Sequence, residues 1–471
     1  MVRKRKRKTM NGDIFTMPNS KLTRRAFLAA TTTTALAGAS WANQPNTARV
    51  VPRRVSPNET LNVAGIGVGG KGTHDILSFR RENIVAMCDV DLERAGEAFY
   101  RVPDAKQYRD YRKMLDEMGD EIDMLTVATP DHSHAPAAYQ AMKMGKHVYV
   151  EKPMTHTVAE ARLLTETARE MGVATQMGNQ GRSGDGTRDL AEMVWAGAIG
   201  DVHTVHIWTD RPGGRWPHGG PKTAPPGEPI PETMDWDLWV GPAPMREYNG
   251  LYAPFKWRGW IDFGCGGLGD MGCHIMDPAF FALKLDQAAS FTVEPVQQES
   301  ANDQTWPTNA IVKYHFPARA DMPPVDIFWY ENGMLPPRPE DIPADQELGD
   351  GRNGSLFVGA DGCITAGEYG GNARLLPDER MADYTPPPQT IPRVGGANHY
   401  RNFVDACKGG EPASSNFDYA GPFTEIVLFG NVALLMDKKL EYDIASMKVL
   451  NDDKAAQYLS KEYRSGWELP V

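Results

Sequence analysis

The sequence predicts an α/β protein: a doubly wound parallel sheet in the first half, then an α+β domain on a large, mostly antiparallel open sheet. Three observations carry this expectation. Apolar strand-like runs alternate with helical runs from residue 60 to 178, a pattern that requires a parallel sheet with right-handed crossovers. A glycine-rich turn, GVGGKG at 67–72, joins the first strand-like run to the first helical one. After residue 181 the alternation stops, and strand-like runs are separated by loops rich in Pro, Gly and Trp.

In chain order, residues 1–42 are unlike the rest. Basic residues precede twin arginines in TRRAFLAA (23–30), then an uncharged Ala- and Thr-rich run that is too short and weakly apolar for a spanning helix. This pattern predicts a twin-arginine export signal, with Met17 as an alternative start and cleavage after Ser40-Trp41-Ala42. Residues 43–58 read as an extended arm. Residues 59–180 form the first domain, with strands in LNVAGIGV, NIVAMCDV, DMLTVATP, KHVYVEKP and VATQMGNQ. TVAEARLLTETAREMG (157–172) places Val158, Ala161, Leu164, Ala168 and Met171 at helical spacing, with Gly172 as a cap. Residues 181–471 form the second domain. DVHTVHIWTDR (201–211) alternates like a half-exposed antiparallel strand; SFTVEPVQQES, NAIVKYHF, VDIFWYEN and GSLFVGADGCITAG are further strands; HYRNFVDACKGG and 422–436 are helical.

Charge and cysteines exclude several classes. The chain carries a net charge of −11, and removing residues 1–42, with nine Lys or Arg and one Asp, leaves −19. So acidic a chain is a poor partner for nucleic acid or an anionic membrane, and beyond the signal the sequence predicts no membrane span. The five cysteines, an odd number without a CxxC pair, give no zinc ribbon or disulfide framework. Only Cys265 and Cys273 stand as a conceivable pair.

GVGGKG supplies Gly67, Gly69 and Gly72 of G-x-G-x-x-G, with Gly70 inside it, after an apolar strand and before a helix. In that context the turn admits a pyrophosphate to the backbone and helix N-terminus. Asp89, 22 residues after Gly67 at the end of the second strand, can accept bonds from both ribose hydroxyls, which favours NAD and leaves NADP possible. TPDHSH ends the third strong strand, where ligands bind in open α/β sheets; Thr129, Pro130 and His134 are expected along the cofactor, and His132 and His134 read as loop residues before metal ligands. Glu151 and Lys152 of EKP end the next strand, beside the expected nicotinamide, where an ammonium can stabilise a developing alkoxide. Asn179, closing the last strand, is a further cofactor or sugar contact. GGLGDMGCHIMD (266–277) spaces Asp270, His274 and Asp277 on one helical face among small and apolar neighbours. Metal ligation, proton transfer and a solvated face are the three readings, and the apolar neighbours suit the last poorly. Arg211, Arg215, Trp216, His218 and Trp260 lie in aromatic loops of a kind that clamps sugars.

The order GVGGKG, CDVD, ATPDHSH, GKHVYVEKP resembles that of the Gfo/Idh/MocA oxidoreductases, over the whole first half. The resemblance implies a Rossmann domain with an α+β domain that also makes homo-oligomer contacts, as dimer or tetramer. It implies that Asp270 and His274 meet Lys152 beside the nicotinamide, with His274 as general base and Asp270 orienting the substrate or the imidazole; no metal is implied. The expected function is an exported oxidoreductase moving hydride between a sugar hydroxyl carbon and a tightly bound NAD. The alternative is an NAD-dependent glycosidase of the α-N-acetylgalactosaminidase kind, in which transient oxidation at C3 permits elimination, water addition and re-reduction.

Overall fold

The computed structural model describes residues 52–53 and 55–471, so the predicted signal and most of the predicted arm lie outside the described residues. What is described of the arm is tied down: Arg53 donates to both carboxylate oxygens of Asp123 at 2.7 and 2.9 Å.

The first sheet is parallel, with β1 (Asn62–Ile66), β2 (Asn83–Cys88), β3 (Lys106–Tyr108), β4 (Met124–Val127), β5 (His147–Val150) and β6 (Thr175–Met177). Its order, β3-β2-β1-β4-β5-β6, reverses direction between β1 and β4. That switch point opens a crevice at the carboxyl ends of the strands. β4 and β5 are buried at every residue, as helices on both faces require. The helices between them are α1 (Lys71–Ser78), α2 (Gly96–Arg101), α3 (Tyr111–Met118), α4 (His134–Lys143) and α5 (Val158–Met171). α5 follows its sequence signals closely. Thr157 and Glu160 form a reciprocal capping box, and Gly172 ends the helix at φ 66°, a left-handed conformation that glycine adopts at little cost.

The second part contains α6 (Gly186–Trp195), β7 (Val202–Trp208), α7 (Trp236–Val240), α8 (Gly266–Ile275), α9 (Asp277–Ala282), β8 (Ser290–Glu299), β9 (Asn309–Phe316), β10 (Val325–Tyr330), β11 (Gly354–Gly359), β12 (Gly362–Ala366), β13 (Arg374–Leu376), α10 (His399–Cys407), α11 (Phe417–Met436), β14 (Leu440–Asp443) and β15 (Lys448–Val449). The sheet order is β13-β12-β11-β7-β10-β9-β8-β14-β15. One expectation is corrected here. β7 is a central strand, buried over its last four residues, and it pairs parallel with β10 and antiparallel with β11. Its sequence alternates, but neighbours on both sides and layers on both faces override that local pattern.

α11 starts five residues before the predicted Pro422 and is the buried spine of the molecule. By length and composition it could cross a bilayer, yet 78% of its apolar window is buried inside the protein. It packs on α5 and β6 at one side and on α8, β8 and β9 at the other. Glycines permit the close approach: a Cβ on Gly421 would lie 1.9 Å from Thr165 Oγ1, and one on Gly430 2.0 Å from the Tyr314 hydroxyl. All five cysteines are free and buried.

The chain also returns to the first sheet. Phe403, Val404 and Cys407 of α10 share an apolar cluster with Leu61, Val63, Met124 and Tyr149. Lys408, just past α10, bonds both carboxylate oxygens of Glu82 at 3.0 and 2.9 Å, and Glu82 also accepts from the Leu61 amide. Both side chains are under a tenth exposed. Removing one partner of a buried pair leaves an uncompensated charge. Lys408→Met is therefore expected to cost about 3 kcal/mol, read as a lower urea midpoint, and Glu82→Gln in the same chain to restore most of the loss.

Candidate active site

The carboxyl ends of β1, β2, β4 and β5 border a cavity of about 410 Å³ that reaches α8 in the second part of the chain. Its chemistry runs from one end to the other: a glycine turn and carboxylate, then the loops after β4 and β5, then a cluster of ammonium, imidazole and aromatic groups.

At the first end the turn is held by geometry that only glycine satisfies. Gly67 sits at φ 74°, and a Cβ there would meet the backbone of Ala128 and Thr129 at 2.8–2.9 Å. A Cβ on Gly72 would lie 1.8 Å from the Gly67 carbonyl oxygen, so α1 could not approach the turn. Gly67 and Gly69 line the cavity; Gly70 and Gly72 stand behind it, shaping the turn. Asp89 accepts from the Gly69 amide at 2.8 Å and from the Asp91 amide at 2.9 Å. Burial pushes its carboxyl up to about 6, against those two bonds, so it is mostly ionised at neutral pH.

In the middle, Thr129 and Pro130 line the cavity as expected. His134 lines it too, but its ring bridges the Pro153 and Thr129 carbonyls at 2.8 Å each, clamping the loop after β5 to the loop after β4. His132 is bonded to the carbonyls of Phe263, Trp239 and Val240. With their ring nitrogens so engaged, both histidines hold backbone. Asp131 accepts from the Cys265 amide at 2.9 Å and so docks this loop on the start of α8.

At the far end Lys152 crosses to α8. Its ammonium donates to the Asp270 carboxylate at 2.7 Å and to the Asp270 carbonyl at 2.9 Å. Burial alone would raise the Asp270 carboxyl; the Lys152 ammonium and the Arg258 guanidinium, whose Nε lies 3.4 Å away, hold it well below the usual carboxylate range. His274, one turn further along α8, lines the cavity and is 7% exposed. Burial first, then the Lys152 ammonium, pushes it down to about 3. Its imidazole is therefore neutral at pH 7, and its Nδ1 has no hydrogen-bond partner. Glu151 faces the cavity, paired with Lys71 at 3.0 Å and accepting from Gln180 at 3.1 Å. The cations Lys71 and Lys152 keep it ionised against its burial.

Four expectations are corrected. Asp270 is not part of the cavity wall; its carboxylate grips Lys152, so the role its geometry gives it is to position the ammonium. Asp277 does not join His274 at the cavity: it opens α9 ahead of Pro278 and accepts from the Tyr419 hydroxyl at 2.5 Å. Asn179 lies off the cavity, its side-chain oxygen taken by the Ser415 hydroxyl at 2.6 Å; its neighbour Gln180 is at the wall. Arg211, Arg215, Trp216, His218 and Trp260 are all off the cavity: the arginines pair with Asp210, and Trp260 is fully buried in an aromatic cluster. The wall beside Lys152 is built instead by Phe255, Trp257 and Arg258 of the same loop, with the guanidinium 4.1 Å from the Trp257 ring.

Sequence reasoning also missed Tyr369. Its ring meets the His274 ring edge-to-face, 5.0 Å between centroids at 89°. It sits at φ 63°, strained for a residue with a Cβ, and a Cβ on Gly181 would run into it at 2.3 Å. No local pattern marks it; only the glycine opposite betrays the close approach.

Fold and site together define a two-domain protein with a nucleotide cavity between a Rossmann sheet and a mixed sheet. The profile described as an oxidoreductase family with NAD-binding Rossmann fold matches residues 61–179, and that of the oxidoreductase family's C-terminal alpha/beta domain matches 186–318. The chain belongs to the Gfo/Idh/MocA oxidoreductases, and NAD is the nucleotide its first domain is built for. It is similar to a glycosyl hydrolase family 109 protein of Shewanella pealeana, 30% identical over 165 residues, which are 32% of this chain and 35% of that one. It is also similar to inositol 2-dehydrogenase of Salmonella typhimurium, 28% identical over 153 residues, 31% and 45% of the two chains. The matches thus span under half of these curated relatives. Among solved structures it shares its fold with the WlbA dehydrogenase of Bordetella pertussis in complex with NADH and UDP-GlcNAcA, at TM-score 0.55 and 14% identity, covering 82% of this chain and 98% of that one.

The residues fit NAD: Gly67 and Gly69 bring the turn to the cavity wall, and ionised Asp89 disfavours a phosphate on the ribose beside it. Gly67→Ala forces a side chain into both a left-handed turn and the Ala128–Thr129 backbone. It is expected to weaken NADH binding by roughly a hundredfold, measured by nicotinamide fluorescence titration, and to lower the melting temperature.

Proposed function

We propose that the protein is an exported oxidoreductase that moves a hydride between a hydroxyl-bearing carbon of a sugar and a tightly held NAD. The observation that carries this is the meeting of Lys152, from the end of β5, with His274, from α8, at one end of a cavity whose other end is a dinucleotide turn. When bound, NAD supplies the acceptor for the hydride. The protein does the rest. Phe255, Trp257 and Tyr369 offer apolar ring surface to the C–H faces of a pyranose, and Arg258 a fixed polar edge. Neutral His274 accepts the hydroxyl proton as the C–H hydride departs, which leaves a carbonyl. The Lys152 ammonium, held by Asp270, stabilises negative charge on that oxygen. Burial disfavours the imidazolium, so the proton returns readily when the reaction runs backwards.

Export is proposed from TRRAFLAA at 23–30. That route carries folded proteins, and outside the cell no free nicotinamide pool exists. The cofactor then has to be bound before export and regenerated in place, by a second sugar or within one turnover. A relative named as a glycosyl hydrolase family 109 protein supports the second of these as the alternative: a glycosidase in which the C3 hydride passes to NAD, the C2 proton and the C1 aglycone are lost together, water adds across C1 and C2, and the hydride returns to C3. The same Lys152 and His274 serve both.

Denaturing the purified exported protein is expected to release one NAD or NADH per chain; release of none overturns the proposal. Incubation with aryl glycosides without added NAD separates the two chemistries, since aglycone release without net redox change is the glycosidase outcome. Lys152→Ala and His274→Ala are each expected to lower turnover by roughly 10²–10⁴ while NADH still binds. The pH dependence follows from the depressed His274: the folded form stays neutral until pH falls towards about 3. The acid limb of kcat/KM is accordingly expected well below 6.5, and a limb at 6.5 assigns the base elsewhere.

A further inference from the structure

The last residues of the chain return to the first part of the molecule, and Trp467 among them joins the cavity wall. Lys461 pairs with Glu160 at 2.9 Å and donates to the His132 carbonyl at 2.9 Å, and the Tyr463 hydroxyl donates to Glu160 at 2.7 Å. Glu160 is fully buried at the cap of α5, so the segment is anchored deeply at its start. Arg464 then bonds the Asp237 carboxylate of α7 at 2.7 Å and its carbonyl at 2.8 Å, and its amide bonds the Pro242 carbonyl.

Trp467 follows. It is 8% exposed, and its indole N–H donates to no protein acceptor among the described residues. The Arg112 guanidinium lies 4.2 Å from its ring, itself locked by Asp110 at 2.9 and 2.7 Å. Tyr111 lies beside it, ring centroids 6.1 Å apart, and the indole rests 3.7 Å from where a Cβ on Gly241 would stand. The ring nonetheless forms part of the cavity wall, with Asp89, Arg109, Tyr111 and Leu238.

These neighbours locate it. Asp89 follows β2, and Arg109 and Tyr111 follow β3, so this wall lies past the ribose carboxylate on the far side from Lys152. In a dinucleotide laid along the carboxyl ends of the strands, that is where the purine falls. An aromatic ring held rigid by an arginine, with a spare N–H, is suited to stack on or edge against a planar base and to bond one of its nitrogens.

We propose that residues 460–471 are a strap over the adenine end of the cofactor site, with Trp467 as the wall of the adenine subsite and Arg464 as the latch. This rests on the nicotinamide nucleotide of the proposed function and deepens it, since a strap joined to α5 and α7 slows release of a cofactor that must survive export. The strap sits across the site but not across the chemistry, so it governs retention and not the reaction.

The test uses the full chain loaded with NADH. Release is followed by the fall in nicotinamide fluorescence on chase with excess NAD⁺, and AMP and nicotinamide mononucleotide are titrated separately. Trp467→Ala is expected to speed NADH release roughly tenfold or more and to weaken AMP by a similar factor, with nicotinamide mononucleotide unchanged. Trp467→Phe is expected to retain most of the effect. Arg464→Ala, which leaves the ring in place, is expected to speed release by a smaller factor and serves if Trp467→Ala does not fold. Wild-type rates in Trp467→Ala, or in Arg464→Ala where only that variant folds, overturn the strap, as does equal weakening of AMP and nicotinamide mononucleotide. A wild-type chain that takes up no NADH at all overturns instead the proposed function beneath it.

Discussion

The salt bridge between Lys152 and Asp270 joins the carboxyl end of β5 to α8, and it sets where the ammonium stands in the site. A buried ion pair is weak evidence for stability, because desolvation offsets most of its attraction. Its value here is geometric. The ammonium has two acceptors on one residue, the carboxylate and the carbonyl of Asp270, so its direction is fixed relative to the axis of α8. His274 rides on the same helix as Asp270, so the two reactive groups keep a constant relation to one another although they come from different parts of the chain. The rest of the packing serves this join. Asp131 holds the amide before α8, Asn431 of α11 holds the Cys265 carbonyl, and the Gly430 and Gly272 contacts bring α11 close behind α8.

The charge states follow from the same arrangement. Asp270 has two cations beside it and stays ionised; His274 has an ammonium beside it and little water, and stays neutral. Two titratable groups on one helix are thereby pushed to opposite ends of their function, one fixed as a counter-ion and one available to take a proton. Tyr369 keeps that division sharp, since its strained backbone holds a ring against the imidazole and limits its hydration.

Much of this was legible in the sequence. The alternation of strands and helices gave the first sheet, because parallel strands buried on both faces read as continuous apolar runs. The glycine turn, Asp89, Glu151, Lys152 and His274 stood out because each departs from what its local element needs. What was not legible depended on distance along the chain. Helical spacing groups Asp277 with His274, but Pro278, which has no N–H to continue the helix, starts a new one there. The aromatic loop was recognised as a ligand wall, but which rings face inward is set by packing: Trp260 turned to the core and Trp257 to the cavity. Tyr369 and Trp467 reach the cavity from segments whose own sequence says nothing of the first sheet. β7 carried a half-exposed pattern and became a central strand, because its partners, not its own residues, determine its surroundings.

A crystal structure of the chain loaded with NADH tests the central claim most directly. The account predicts the nicotinamide ring at the far end of the cavity, its reactive carbon in reach of a sugar carbon whose oxygen lies about 3 Å from both the Lys152 ammonium and the His274 imidazole. A nicotinamide ring bound at the Trp467 end, or one separated from Lys152 and His274 by intact protein, contradicts it.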